Sequence, residues 1–486
     1  MAYFHGVYNS EQDTSLTTPI QGSAGLQVIF GTAPIHLSDN PEKAANTPLL
    51  CYSFAECQKA VGYSDDFKKF TLCQSIDANF RVFNVAPIVL VNVLDPNKAA
   101  HTTVNAAADY PVKDGVVVYD KEFVMRNTLE VKNGETTLVA ETDYTAEHDD
   151  DGNVLIVLLS AEAQAAETVS VSSKSINPDG VTIEDIVGGV DVKTGKETGL
   201  EVVRHVYPKL GMVPGLLLAP GWSHTPIVAA ALQAKTTAIN GVFECCAYID
   251  IPTDETGAIV YTDAKQAKEN LGVSNPHAAA FWPMCAIGEK VYYLSAMAAA
   301  LTAYNDAENS DVPYESPSNK SMAITGTVLA DGTEVVLDQQ QANDVLNANG
   351  IITAINSDGF RLWGNNTSAY PAVTDPKDRW LAVRRFFDWD GNNFVRTYRQ
   401  KVDKPGNKRL IQSIVDSQNV IGNGYVARDY CAGYKVEFRT DENPVTNLMN
   451  GHLTVHTFLA PYTPAEYIEN IREYDVTALQ AAFGGN

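Results

Sequence analysis

Residues 216–251 read LLLAPGWSHTPIVAAALQAKTTAINGVFECCAYIDI, and they show strand and helix patterns in clear alternation. The leucines at 216–218 predict a short buried strand, and the spacing of apolar residues over 225–239 predicts a helix after it. The apolar run at 246–251 predicts the next strand, and 263–271 predicts another helix. Alternation of this kind is typical of β-α-β units whose sheet is covered on both faces. The sequence therefore predicts an α/β core.

The same character extends toward the N-terminus. Residues 26–31 (LQVIFG) and 89–93 predict buried strands, and 81–85 predicts a further strand. Between them, 54–61 and 67–80 carry apolar residues at helical spacing. We therefore expect residues 26–94 to belong to the same α/β core as residues 190–335.

An acidic, strand-rich segment separates these two parts. Residues 95–185 contain 18 acidic and 6 basic side chains, and short β-rich runs alternate there with turns such as Asn133-Gly134. Such a charge excess favours contact with water. Residues 95–189 are therefore predicted to be a small β-domain inserted into the core, facing solvent.

The last third of the chain has the opposite charge. Residues 377–440 contain 13 basic and 7 acidic side chains in a molecule whose net charge is −24. Residues 407–421 predict an amphipathic helix, 434–439 alternate strictly between apolar and charged residues, and 452–458 alternate more loosely. We expect an α+β domain over 336–460.

The two ends of the chain are long, polar and lack a pattern that would pack them onto the body. Residues 1–25 and 461–486 are predicted to be extended arms, and exposed strands of this kind associate readily with other chains. Extended residues rise by roughly 3.3 Å each, so an arm can reach a neighbouring copy and add a strand to its sheet. The predicted fold is thus α/β and α+β multidomain, completed by exchanged terminal arms.

Composition excludes several classes of function. The acidic balance disfavours nucleic acid and anionic lipid as partners, and no apolar stretch is long enough to span a membrane. The 7 cysteines are odd in number and lack C-x-x-C spacing, and the first residues resemble no signal peptide. These features predict assembly in a cytoplasm with reduced thiols.

Motifs that imitate chemical sites are better explained by structure. Residues 189–197 imitate a phosphate loop with the wrong spacing, and 147–152 imitate a calcium loop without its last ligand. Ser223 follows a strand and a sharp turn, as in a hydrolase elbow. A role as the N-cap of the following helix explains this serine equally well. We predict no catalytic, cofactor or metal site. A cytosolic α/β hydrolase using Ser223 and His224 remains the alternative, and a cell-surface β-protein is disfavoured by the absence of an export signal.

Short motifs spread along the chain resemble the contractile phage tail sheath proteins, including those of phage-tail-like bacteriocins. The motifs lie at 5–8, 31–34, 183–189, 196–200, 211–221, 248–252, 362–367, 382–385 and 460–466. These motifs occur in the same order along nearly the whole chain outside the acidic insertion.

The resemblance implies a structural subunit rather than an enzyme. It implies stacked six-membered rings of this chain around an inner tail tube protein, with baseplate and tail terminator proteins as further partners and no nucleic acid, membrane or cofactor. The particle would be a virion tail or an extracellular phage-tail-like particle, assembled in the cytoplasm of the bacterial host. Contraction would drive the tube through a cell envelope.

Three groups of residues are predicted to carry these contacts. The inter-subunit arm strands are predicted to include Val7, Thr14, Leu16, Thr18, Ile468, Ile471, Tyr474 and Val476. The sheet that receives them is predicted to include Tyr434, Val436, Phe438, Leu453 and Val455. The tube-facing candidates are Lys404, Lys408 and Arg409, for which a solvated helix start is the alternative explanation.

Overall fold

A computed structural model describes residues 20–149 and 152–484. The first elements are β1 (Ile20–Gln21), β2 (Gln27–Gly31), α1 (Pro41–Ala44), β3 (Leu49–Cys51), α2 (Phe54–Val61), α3 (Leu72–Asp77), β4 (Val85–Ala86) and β5 (Ile88–Asn92). The next are β6 (Thr102–Pro111), β7 (Val116–Tyr119), β8 (Glu130–Asn133), β9 (Thr136–Thr137), β10 (Tyr144–His148), β11 (Val154–Leu158), α4 (Ala161–Gln164) and β12 (Thr168–Ile176).

The chain continues with α5 (Ile183–Val187), β13 (Gly189–Val190), β14 (Glu197–Thr198), α6 (Val206–Leu210), β15 (Leu216–Leu218), α7 (Pro226–Ala234), β16 (Cys246–Asp250), α8 (Ala264–Leu271), β17 (Ala278–Phe281), β18 (Met284–Ile287), β19 (Lys290–Tyr292), α9 (Leu294–Glu308), β20 (Gly326–Val328), α10 (Gln339–Gln341), β21 (Ile351–Asn356) and β22 (Phe360–Trp363). The last elements are α11 (Pro376–Arg379), α12 (Leu381–Tyr398), α13 (Lys408–Ala427), β23 (Cys431–Glu437), α14 (Val445–Met449), β24 (His456–Pro461) and α15 (Val476–Ala482).

An eight-stranded sheet forms the centre of the molecule, in the order β22-β21-β17-β16-β15-β2-β5-β3. The six inner strands are parallel, and β22 and β3 add antiparallel strands at the two edges. The three leucines of β15 and all of β17 are buried, as expected for parallel strands covered on both faces. Helix α9 packs on this sheet and is buried around nearly its whole circumference, which explains its alanine-rich sequence.

The structure corrects several sequence-based boundaries in the core. β21 pairs in parallel with β17, so residues 351–363 complete the central sheet, and the predicted domain boundary at residue 336 lies too early in the chain. The helix predicted over 67–80 begins at Leu72. The strand predicted over 81–85 is reduced to Val85, because a helical turn over 78–82 extends into its first two residues. Short apolar runs occur in strands and in helices, so the apolar residues here do not distinguish the two.

The acidic segment forms two sheets of its own. The strands pair in the orders β10-β11-β7 and β6-β12-β8-β9, and neither sheet joins the eight-stranded sheet in the described residues. A separate apolar cluster lies between them, with Val117, Tyr119, Val154, Ile156 and Val171 fully buried. The strand prediction for this segment is therefore confirmed at the level of its sheets.

Helix α12 joins the C-terminal part of the chain to the core. The guanidinium of Arg385 forms a buried ion pair with Asp306 near the end of α9, and Arg384 pairs with Asp378 at 3.1 Å. Burial of such a pair is tolerated because each charge is satisfied by its partner. None of the helices in the described part of the chain combines the length and apolar character that a membrane crossing requires.

Candidate inter-subunit interface

The β23–β24 hairpin is a two-stranded antiparallel sheet at the surface. Tyr434 lies opposite Leu459 and Val436 opposite Thr457, and in the described residues no third strand pairs with either one. Tyr434 and Val436 therefore lie in a strand, as predicted, whereas Phe438 follows the end of β23. The predicted strand over 452–458 begins only at His456, so Leu453 and Val455 precede it. The looser alternation before His456 reflects the loop that leads into β24.

Helix α13 holds the hairpin through close packing and hydrogen bonds. A Cβ atom at Gly422 would lie only 2.0 Å from Cδ1 of Tyr434, so the ring of Tyr434 requires a glycine at this position. The side-chain amide of Asn419 donates to the carbonyl oxygen of Val436 and accepts from its N–H, both at 2.8 Å. These contacts occupy backbone groups of β23 that an added strand would need.

A buried network of hydrogen bonds links the hairpin to α13 and α12. Gln418 donates to the hydroxyl oxygen of Tyr434 at 2.6 Å, and that oxygen lies 3.0 and 3.1 Å from the carboxylate oxygens of Asp390. Burial raises the pKa of Asp390 to about 6, although the hydrogen bond from Tyr434 opposes the rise. The ionised carboxylate of Asp390 is therefore less favourable than that of an exposed aspartate, because Tyr434 offsets only part of the cost of burial.

The chain leaves the body after Glu466. The carboxylate of Glu466 accepts from Arg379 at 3.1 Å and from Asn365 at 3.4 Å, which fixes the starting point of the last segment. Beyond it, Ile468 and Ile471 are 85% and 84% exposed, and Tyr474 is 71% exposed. Residues 462–475 form neither helix nor strand, and Val476 begins α15 rather than extending a strand.

The last residues of the predicted N-terminal arm lie on the body of the chain. Ile20 and Gln21 pair in parallel with β4 of the same chain, and the N–H groups of Ser23 and Ala24 donate to Asp311 at 2.6 and 2.7 Å. Residues 20–25 thus belong to the body. The predicted arm residues Val7, Thr14, Leu16 and Thr18 lie outside the described residues.

The predicted tube-facing residues lie at the start of α13. Lys404, Lys408 and Arg409 are exposed, and the side chain of Asn407 caps the helix by accepting from the N–H of Leu410 at 2.9 Å. Lys408 is the first residue of the helix, one position after the start predicted at residue 407, and α13 continues to Ala427, beyond the predicted end at residue 421.

The elbow around Ser223 does not present a nucleophile. Ser223 is fully buried, donates its hydroxyl to Asp250 at 3.1 Å and accepts from the N–H of Asp250. His224 stacks on Tyr293, and burial lowers its pKa. The serine therefore fixes the carboxyl end of β16, an inner strand of the central sheet.

No sequence pattern predicted one buried cluster of polar side chains. The sulfur of Cys246 lies 3.6 Å and Nδ1 of His277 3.1 Å from Oδ2 of Asp388, and Arg384 holds the other oxygen at 2.8 Å. These side chains could ligate a metal ion. Both oxygens of Asp388 already accept hydrogen bonds, however, so the geometry is complete as a link between the central sheet and α12. Its members are far apart in sequence, and no spacing pattern connects them.

Comparison with protein families finds a match in the central part of the chain. Residues 210–368 match the model of the phage tail sheath protein central domain. This range contains β15, β16, β17 and β21 of the central sheet.

Individual relatives extend the match to the rest of the chain. The tail sheath protein of Burkholderia phage BcepMu is 27% identical over 494 aligned residues, covering 100% of this chain and 99% of the relative. The tail sheath protein of Escherichia phage P2 is 26% identical over 300 residues, covering 60% of this chain and 69% of the relative. These matches confirm the predicted resemblance to contractile tail sheath proteins.

Solved structures show the same fold. A chain of the anti-feeding prophage baseplate matches with a TM-score of 0.58 at 14% identity, covering 98% of this chain and 100% of its own. A chain of the PVC sheath complex, from an extracellular contractile injection system in the contracted state, matches with a TM-score of 0.57 at 15% identity, covering 98% and 99%.

Proposed function

We propose that this chain polymerises as stacked hexameric rings around an inner tail tube, linked by exchanged terminal arms. The observation that carries the proposal is the last segment: it leaves the body at Glu466, exposes large apolar side chains and has no partner strand among the described residues. Such a segment is stabilised when another copy buries it. The unpaired hairpin β23–β24 offers an edge that can do so.

Contraction then follows from repacking of a metastable lattice. Arms that join the copies keep the lattice continuous while subunit contacts increase, and the stored free energy drives the tube through an envelope. We propose that residues 95–189 protrude outward, because their charge favours water, and that Lys404, Lys408 and Arg409 face the tube. Baseplate and tail terminator proteins would bind the two ends of the sheath. The chain acts mechanically and not as an enzyme, in a virion tail or an extracellular particle assembled in the host cytoplasm.

Two truncations test the arm model. Removal of residues 467–486 deletes the exposed segment beyond the Glu466 anchor, and removal of residues 1–19 deletes the N-terminal arm before β1. Each variant is expected to be a folded monomer, with the circular dichroism and unfolding curve of the full chain, that does not polymerise in negative-stain micrographs. Tubes of normal length from either variant would overturn the proposal for that arm.

A further inference from the structure

A groove runs between α12 and the hairpin. Its floor is a stripe of α12 formed by Phe387, Asp390, Gly391 and Phe394, and its wall is formed by Val455, Thr457 and Leu459. The α12 residues follow the i, i+3, i+4, i+7 spacing of one helix face. Thr457 and Leu459 lie on one face of β24, and Val455 comes directly before that strand. The cavity volume is about 280 Å³. The groove is open above Gly391, because a Cβ atom at this position would meet no atom within 4 Å. We call it the α12–β24 groove.

The groove holds an acid without a cation. Asp390 is 7% exposed, and its carboxylate is hydrogen bonded by the hydroxyl of Tyr434. In the part of the chain that the structure describes, no lysine, arginine or histidine forms an ion pair with it, whereas the neighbouring Asp388 and the buried Asp306 are each paired with an arginine. A buried carboxylate left without a positive partner is costly, so this position favours an incoming cation.

The C-terminal segment carries one cation. Arg472 is the single lysine or arginine of residues 461–486, and residues 1–25 contain none. Arg472 is exposed and forms no ion pair with the described residues of its own chain. In an extended strand, Asn470 and Tyr474 share its face, while Ile471 and Glu473 point to the other face.

The free edge of the hairpin nearest the groove is that of β24. On β23, the side-chain amide of Asn419 already occupies the N–H and carbonyl oxygen of Val436. A strand added beside β24 extends the sheet across the α12 stripe, so its inward side chains reach the groove.

We propose that the C-terminal segment of a second copy adds as a strand to β24 and places Arg472 in the α12–β24 groove, where it pairs with Asp390. The inference rests on the proposed exchange of arms and names the side chains that make the junction specific. An arginine fork suits the site, because it can bind a carboxylate with two hydrogen bonds. Tyr474 would lie beside Arg472, against the phenylalanines of the groove. The N-terminal arm, which has no lysine or arginine, would not satisfy Asp390.

A double-mutant cycle tests the pair. The variants Asp390→Asn, Arg472→Gln and the combined variant keep side-chain size and, at residue 390, an acceptor for Tyr434. The critical concentration for polymerisation is measured for each by sedimentation. Each single variant is expected to raise it at least tenfold, and the combined variant should be no worse than either one, because each change removes the same interaction. Glu473→Gln is the matched control, since it changes the charge of the same segment on the opposite face.

The outcomes separate this inference from the proposed function. If Arg472→Gln polymerises within twofold of the full chain while removal of 467–486 abolishes polymerisation, the pair is refuted and the arm exchange stands. Effects of the two single changes that multiply in the combined variant would also refute the pair. If removal of 467–486 has no effect, the arm exchange itself fails. Arg472 is exposed and makes no ion pair within the described residues of its own protomer, so Arg472→Gln is expected to fold normally. This variant alone therefore tests the pair even if Asp390→Asn unfolds.

Discussion

Single residues at the junction of α12, α13 and the hairpin set how rigidly the receiving sheet is held. Gly422 lets the ring of Tyr434 lie against the backbone of α13, and the hydroxyl of the same tyrosine connects Gln418 with Asp390. A side chain that is packed at its ring and hydrogen bonded at its hydroxyl has little freedom to move. The hairpin thus offers an incoming strand a fixed edge.

Substitution of Gly422 tests this packing directly. Gly422→Ala is expected to lower the free energy of unfolding by about 1–3 kcal/mol, because the new methyl group overlaps the ring of Tyr434. Gly424→Ala, two residues further along the same helix, meets no atom within 4 Å and is expected to be neutral or to stabilise by about 0.5–1 kcal/mol. Denaturant unfolding of the two variants measures the difference, and equal stabilities would contradict the packing.

The buried Asp250 makes stability depend on pH. Burial raises its pKa to about 6, despite hydrogen bonds from Ser295 and Ser223. Because the folded state holds this proton more tightly than the unfolded chain, the contribution of Asp250 falls as pH rises from about 4 to 6 and is lost above that range; its full size is about 3 kcal/mol.

The matched variant isolates this contribution. Between pH 7.5 and 5.5, the full chain is expected to gain about 1 kcal/mol of unfolding free energy relative to Asp250→Asn. Denaturant unfolding at both values measures the difference, and the comparison cancels the titration of other groups. A gap that stays constant with pH would show that Asp250 is ionised throughout.

At the scale of elements, helix α13 has two distinct parts. Its C-terminal half packs against β23 through Gln418, Asn419 and Gly422, whereas its first turn exposes Lys408 and Arg409. Exposed basic residues at a helix start have no structural need to be basic, since the helix dipole favours acidic residues there. The first turn is therefore free to serve a contact with an acidic partner.

Charge reversal tests this contact. The variant Lys408→Glu, Arg409→Glu is expected to fold normally, because both side chains are exposed, and to assemble poorly around tubes. The defect should be largest at low salt, where exposed charges are least screened. Tube-templated assembly followed by light scattering at two salt concentrations measures it. Unchanged assembly would assign the two residues to a solvated helix start.

Sequence patterns predicted elements whose signal is local. The strand at 216–218 and a helix beginning within one residue of Lys408 were predictable, because the apolar spacing that indicates them is local. The place of β21 in the central sheet was not, because pairing with β17 connects residues about 70 positions apart. Val476 was misassigned because its alternating pattern ends where Asp475 caps a helix by accepting from Ala478. The link between Cys246, His277 and Asp388, like the groove at Asp390, exists only after folding.

At the scale of the whole molecule, the fold separates three tasks. The eight-stranded sheet supplies a rigid body. Helix α12 contacts it through the Arg385–Asp306 pair and through Asp388, which lies against Cys246 and His277. The acidic sheets β6–β12 lie apart from this connection, and the last segment extends from the anchor at Glu466. A force applied to an exchanged arm would pass through the hairpin and α12 into the central sheet. This arrangement suits a subunit whose work is collective.

Electron cryomicroscopy of the polymerised full chain tests the central claim most directly. The account predicts density for residues 467–475 of one copy running as a strand beside β24 of a neighbour, with Arg472 directed at Asp390. A map in which this segment instead packs on its own protomer, and β24 keeps a free edge inside the polymer, would contradict it.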